Sequence, residues 1–173
     1  MKNYYTKMKL PEPLVPALQA LSLLKGQTAL VTGANSGIGR AIAVSLGRAG
    51  ANVVVNYVVK PEDAEAVVVE IQGGGGHAVA IRADVGDEAQ VVAMFAEAVK
   101  AFGTVDILVS NAGMERNAPF HEMTTAQWDA VMNVNLRGAF LCAREAVREF
   151  LRRGVRPEVS VAAGKIIFIS SVH

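Results

Sequence analysis

Between Thr28 and Gly39 the chain reads TALVTGANSGIG. Ala29, Leu30 and Val31 form a buried-strand run, Gly33, Gly37 and Gly39 make a glycine-rich turn, and Ile38, Ile42 and Leu46 recur at the four-residue spacing of a helix face. A strand that turns on glycines into a helix leaves backbone N–H groups and the positive end of a helix dipole aimed at one spot, which suits a pyrophosphate. The candidate contacts are Gly33, Asn35, Ser36, Gly37, Ile38 and Gly39, and the ligand they imply is a dinucleotide. The spacing is T-G-x-x-x-G-x-G rather than G-x-G-x-x-G, because Ile42 stands where the last glycine of that pattern would fall.

The elements that must position this turn alternate along the chain. A valine-rich strand over Asn52–Tyr57 suits burial on both faces. Pro61 opens a helix with Ala64, Val67, Val68 and Ile71 on one face, stopped by the Gly73–Gly76 run. Strand three is expected over Ala78–Arg82, a helix carrying Val92, Phe95, Val99 and Phe102 follows, and strand four runs Val105–Val109. Thr124 or Thr125 can cap a long helix to about Arg153 with Trp128, Val131, Val134, Phe140 and Val147 as its apolar side, and Lys165–Ser170 is strand five. Alternating strands and helices imply a doubly wound parallel α/β sheet with right-handed crossovers. Such a sheet holds ligands at the carboxyl ends of its strands, here Thr32, Tyr57, Asp84, Ser110 and Ser171.

Composition excludes several classes. Of 173 residues, 51% are hydrophobic and 19% charged, enough for one globular core. The net charge of +1 and the lack of a basic run give no electrostatic case for nucleic acid or an anionic membrane surface. Arg152 and Arg153, the densest basic pair, are expected to complement a helix C-terminus. No stretch approaches the ~18 apolar residues of a membrane span, and no metal site is expected. A single cysteine, Cys142, reads as a buried small hydrophobe, and a reducing, cytoplasmic compartment fits it. Residues 1–24, with Pro11, Pro13 and Pro16, read as an extension ahead of a dinucleotide-binding domain over 25–173.

The T-G-x-x-x-G-x-G turn, Asp84-Val85, Ser110-Asn111-Ala112-Gly113, Asn135-Leu136-Arg137-Gly138 and Ser170-Ser171, in that order, resemble the short-chain dehydrogenase/reductase family. The resemblance covers nearly everything after Leu24 and implies a Rossmann-like fold and an oxidoreductase that uses NADP or NAD on a small-molecule substrate. It also implies a homo-oligomer for the full-length form. By resemblance, Asp84 accepts a hydrogen bond from the adenine amino group beside the Val85 backbone; the alternative reading makes Asp84 a cap of the next helix. Asn111, Ala112 and Gly113 resemble the family's turn lining the cofactor, with Ser110 in place of its first asparagine. Asn135 resembles the asparagine that interrupts a helix and orders a water for proton relay, and Ser171 the catalytic serine that positions the substrate oxygen.

Tyr57 stands where an acid would hold the ribose 2′-hydroxyl and repel a 2′-phosphate, so NADP or dual use is favoured over strict NAD. NAGMERNAPFHEMT from Asn111, GAFLCAREAV from Gly138 and SSVH at the end look more like glucose 1-dehydrogenases than 3-oxoacyl-carrier-protein reductases, and on that basis Glu115 and His173 face the sugar. Residues 155–163 look longer than in those relatives and are expected to form a surface loop. Family members continue past the serine into a helix bearing Tyr-x-x-x-Lys. Here Tyr5 and Lys9 have that spacing ahead of the first strand, which is read as coincidence. The expectation is a sheet truncated after its fifth strand, inactive alone, with two alternatives open: a 3-oxoacyl-carrier-protein-reductase-like enzyme, or a nucleotide-binding module without catalysis.

Overall fold

The computed structural model describes residues 22–171; Tyr5, Lys9, most of the proline-rich arm and His173 lie outside them. The chain runs β1 (Thr28–Val31), α1 (Gly37–Arg48), β2 (Asn52–Tyr57), α2 (Pro61–Gly73), β3 (His77–Arg82), α3 (Glu88–Phe102) and β4 (Ile107–Ser110). It continues through α4 (Thr125–Met132), a π-helical stretch (Asn133–Gly138), α5 (Ala139–Arg153) and β5 (Lys165–Phe168). The strands form one parallel sheet in the order β3-β2-β1-β4-β5. After β3 the chain crosses to the far side of β1, so the strand order reverses between β1 and β4. The crevice there is the natural place for a ligand.

Alternation along the strands sorts their side chains onto two covered faces. Ala29, Val31, Val53 and Val55 pack under α1 and α2, together with Ala43, Val67 and Ile71. Leu30, Val54 and Leu108 pack on the other face with Met94, Phe95, Leu141, Cys142 and Phe150. Burial, reinforced by the nearby Glu145 charge, pushes the Cys142 thiol up to about 12, so it is a packing residue and not a nucleophile.

Three helix faces differ from those the spacing suggests. On α1 the buried residues are Gly39, Ala43, Val44 and Gly47, while Ile38 is 66% exposed. Small residues win there because the helix lies against its neighbours: a Cβ on Gly47 would come within 2.7 Å of Ile71. On α3 the inward stripe is Val91, Met94, Phe95 and Ala98, and Val92 is exposed. The single long helix is instead three segments, and Trp128, Phe140 and Val147 lie outward while Leu141, Cys142, Ala146 and Phe150 face the sheet. The π-helical stretch widens the ladder by one residue per turn, which turns α5 relative to α4 and breaks any continuous stripe. Strand boundaries shift by up to two residues, and Ser170 and Ser171 follow β5 rather than belonging to it.

At the amino ends of β1 and β4, Asp106 is 3% exposed and accepts from Thr28 N at 2.8 Å. Arg153 and Arg156 both reach it, at 2.9 and 3.0 Å. Arg153 therefore does more than face a helix end, and the 155–163 segment is a loop that also supplies a clasp, since Arg156 holds Gly26 O as well. Arg152 instead bonds Glu149, where burial would raise the carboxyl but hydrogen bonds from Arg152 and Thr104 hold it below the ordinary glutamate range. The Nε atoms of Arg153 and Arg156 are buried without a partner, so the cluster depends on Asp106. Removing one partner of a buried pair leaves charge uncompensated, so Asp106→Ala is expected to cost about 3–5 kcal/mol, read as a lowered urea midpoint; a loss within ~0.5 kcal/mol, the range of an ordinary surface change, would show the cluster to be incidental.

Candidate functional site

The glycine turn is built by packing from below and left open above. A Cβ on Gly39 would collide with the Gly33 carbonyl oxygen, so only glycine lets α1 start this close to the end of β1. Gly37 has φ +54 and nothing within 4 Å of where its Cβ would be, which is a backbone facing open space. Ser36 is the N-cap of α1 with no side-chain cap hydrogen bond, and no acidic residue stands in the first turn. This is a helix N-terminus with unneutralised dipole, beside a glycine that leaves room for a ligand, and its residues can hold a pyrophosphate.

Two residues hold the turn in place: Asn56, which the sequence reading did not single out, and Thr32, which it named only as a strand end. Asn56 is 1% exposed; its Oδ1 accepts from Gly33 N at 3.1 Å, while its Nδ2 donates to Ala83 O at 3.0 Å and to Ile81 O at 3.3 Å. Thr32 Oγ1 accepts from Asn111 N and Ala112 N, both at 2.9 Å, and donates to Val109 O. Asn111 answers with Nδ2 to Thr32 O at 2.9 Å and to Gly33 O. The signal for Asn56 was visible: an amide inside the strand run VVVNY has to be satisfied if buried. Asn111 is thus spent on the ends of β1, and Ser110 is buried, its carbonyl accepting from Ile169 N.

On the β3 side, Asp84 Oδ1 accepts from Gly86 N at 2.8 Å, and Val85 is buried. The cap of α3 is Asp87, not Asp84: Asp87 accepts from Ala89 N and Gln90 N, and hydrogen bonding from Gln90 holds its carboxyl below the usual aspartate value. Arg137 from the π-helical stretch donates to Gly86 O and to Asn133 Oδ1. Thr124 caps α4 in a reciprocal pair with Gln127. Asn135, within the π-helical stretch, clamps Met114 at both backbone atoms: Oδ1 accepts from Met114 N at 2.9 Å and Nδ2 donates to Met114 O at 3.0 Å.

A cleft of about 1200 Å³ gathers Ile38, Asn111, Ala112, Gly113, Glu115, Asn135 and Ser171. Exposed Ile38 lines it from the first turn of α1, which explains why it left the core. Asn117 donates to Glu115 at 3.4 Å on the exposed rim. Tyr57, Asp84 and Val85 are not among its walls; they stand at the ends of β2 and β3, across the glycine turn, with Tyr57 partly buried against the α1–α2 core. The candidates thus divide into a cleft group and a β2–β3 group with the turn between them. Among the described residues no cluster suits a metal ion, and no helix is long and apolar enough to cross a membrane.

Residues 27–173 match the family described as short chain dehydrogenase. The chain belongs to that family. A short chain dehydrogenase of Claviceps purpurea (strain 20.1) is 49% identical over 148 residues, covering 86% of this chain and 52% of the relative. The Passalora fulva short chain dehydrogenase claC is 48% identical over 131 residues, covering 76% of this chain and 49% of the relative. The crystal structure of a short chain dehydrogenase from Burkholderia cenocepacia J2315 in complex with NADP is similar with a TM-score of 0.71 at 41% identity, over 73% of this chain and 51% of that one. The chain therefore spans about half the length of the curated relatives it matches.

Because Thr32 Oγ1 takes two backbone N–H groups, Thr32→Val orphans both. It is expected to destabilise the fold by about 1–3 kcal/mol and to raise hydrogen exchange at Asn111 and Ala112. Exchange unchanged at those two amides would show that the hydroxyl does not hold the β4 end.

Proposed function

We propose that this chain is the dinucleotide-binding part of an NAD(P)-dependent oxidoreductase that acts on an alcohol, with a sugar hydroxyl, glucose by resemblance, as the substrate. The observation that carries the reading is the open N-terminus of α1 beside Gly37, at the point where the strand order reverses. Its support from similarity is the match to the family and a relative whose structure holds NADP. The lone buried thiol is consistent with a cytoplasmic site of action.

In this reading the N–H groups around Gly37–Gly39 bind the pyrophosphate, and Gly33, Asn35, Ser36 and Ile38 shape its cradle. Asp84 and Val85 hold the adenine, and Asn111, Ala112 and Gly113 form the surface along which the dinucleotide lies. Tyr57, with no charge, leaves a ribose 2′-phosphate unopposed. When bound, the nicotinamide supplies or accepts the hydride. Ser171 directs its hydroxyl to the substrate oxygen, Asn135 holds the Met114 backbone at the cleft wall and orders a water near it, and Glu115 meets the sugar. His173 joins Glu115 in this proposal. Moving the hydroxyl proton needs an acid/base group, and by resemblance to the family we assign it to a tyrosine and lysine of a Tyr-x-x-x-Lys pattern that follows the serine.

Titrating the chain with NADPH and NADH, followed by cofactor fluorescence, tests the binding half. Gly37→Val places a branched side chain in the open space and is expected to weaken both by at least ~10-fold, the equivalent of one lost charge-assisted hydrogen bond; unchanged binding would remove the turn from the site. For catalysis, the chain is extended with a relative's C-terminal part and assayed for NAD(P)H production from glucose. Ser171→Ala in that protein is expected to lower kcat by ~10²-fold or more with KM little changed, as for loss of a group that acts on developing charge. Robust turnover by the 173-residue chain alone would refute the assignment of the proton-transfer pair.

A further inference from the structure

The turn that follows β3 is closed on itself. Asp84 Oδ1 accepts from Gly86 N at 2.8 Å, Asp87 N donates to Asp84 O at 3.1 Å, and Asp84 N donates to Gln90 Oε1 at 2.9 Å. Gln90 is itself held, through Nε2 to Asp87 Oδ2 at 3.0 Å. One carboxylate oxygen of half-buried Asp84 is thus spent within the turn, which sets the plane of the group. Its second oxygen has no partner among the described residues.

The π-helical stretch holds this turn from outside. Gly86 is buried against Asn133, whose amide a Cβ on that glycine would strike, and Val85 lies against Gly138. Arg137 reaches across between these two contacts: its Nη1 donates to Gly86 O and, at 3.2 Å, to Asn133 Oδ1. Gly86 O has no other partner among the described residues. The peptide that carries this oxygen also carries the Asp87 N–H bonded to Asp84 O, so a guanidinium at one end of the amide polarises it and strengthens the bond at the other. Glu88 does not draw Arg137 away, since it lies 4.0 Å from it and is held at 2.7 Å by Arg144.

We propose that Arg137 is a positioning residue for the choice of base: by holding Gly86 O it fixes the turn that aims the second oxygen of Asp84 at the exocyclic amino group of the adenine. This rests on the dinucleotide reading, with the adenine at Asp84. Arg137 touches no part of the ligand and acts through the Gly86–Asp87 peptide. The two hydrogens of Nη1 serve one acceptor on the turn and one on the helix, so the turn is keyed to the π-helical stretch and not to α3 alone. Hydrogen bonds weaken steeply off their preferred angle, so a turn released from Arg137 keeps its carboxylate but loses the aim that tells an amino group from a carbonyl.

Calorimetric titration of the chain with NADPH and with its hypoxanthine analogue, in which the 6-amino donor becomes a carbonyl, reads the choice of base directly. The parent is expected to favour NADPH by about 10-fold or more, the worth of one hydrogen bond to a charged group, and Asp84→Ala to abolish that preference. Arg137→Ala is expected to cut the preference to about threefold or less by weakening NADPH, with the analogue kept within about twofold. Arg137→Lys keeps one donor for Gly86 O and should recover most of the preference. Equal losses for both ligands would make Arg137 a prop of the fold only and overturn the proposal, as would a preference that survives Arg137→Ala but is lost with Asp84→Ala. A circular dichroism melt establishes that each variant is folded; where Arg137→Ala is not, Arg137→Lys and Arg137→Gln carry the comparison, the lysine being expected to choose better than the glutamine, and equal choice in both and in the parent overturning the proposal. A parent that binds neither ligand would sink the dinucleotide reading and this role together. One that binds both alike would remove the adenine from Asp84 and Arg137 with it, whereas a parent whose preference depends on Asp84 but not on Arg137 sinks this role alone.

Discussion

Thr32 and Asn111 exchange hydrogen bonds across the ends of β1 and β4, and the geometry of the cleft follows from that exchange. Two parallel strands that end side by side leave carbonyls and N–H groups without ladder partners, and a buried end needs each of them satisfied. The threonine hydroxyl and the asparagine amide do so from within the protein. Gly33 O, captured by Asn111, lies against Gly39, so the tie also fixes how closely α1 approaches β1. Asn56 extends the same polar seam to the end of β3. The start of the glycine turn is fixed because side chains from β2 and from just past β4 share its backbone groups.

A second set of ties runs from the helix that crosses the site. The π-helical stretch between α4 and α5 carries Asn135, which fixes the loop after β4 through Met114, and Arg137, which fixes the turn after β3 through Gly86. Widening a helix by one residue costs hydrogen-bond quality, and such turns recur at functional sites because they present backbone and side chains that a regular helix would not. Here one short irregular element reaches both groups of site residues. Gly138, which ends it, is packed against Val85, whose side chain would meet a Cβ there at 2.7 Å. The β2–β3 group and the cleft group are therefore referenced to the same six residues, Asn133–Gly138.

Much of this was legible in the residues themselves. The order of strands and helices, the burial of Val53–Val55 on both faces and the convergence of strand ends follow from local patterns, because periodicity reports which faces are covered and glycine spacing reports where backbone must come close. The inward faces of α1, α3 and α5 were not legible in the same way. Ile38, Val92, Phe140 and Val147 are large and regularly spaced, yet Gly39, Ala43, Ala98 and Ala146 lie inside. Hydrophobicity says that a residue can be buried, but close approach of two backbones selects the small ones.

The sequence alone determined the fold class, the glycine turn and, to within a few residues, where the strands end, since each depends on short-range chemistry of neighbouring positions. Only tertiary structure decided which polar side chains are spent internally. Asn111 and Asn135 bind backbone, Asp87 and not Asp84 caps α3, and Asp106 gathers two arginines from the end of α5 and the start of the loop after it. Apart from the local Asp87 cap, those pairings join residues tens of positions apart, and their energy exists only when the sheet has brought them within hydrogen-bond reach. That is why composition and spacing name the participants while the folded chain assigns their partners.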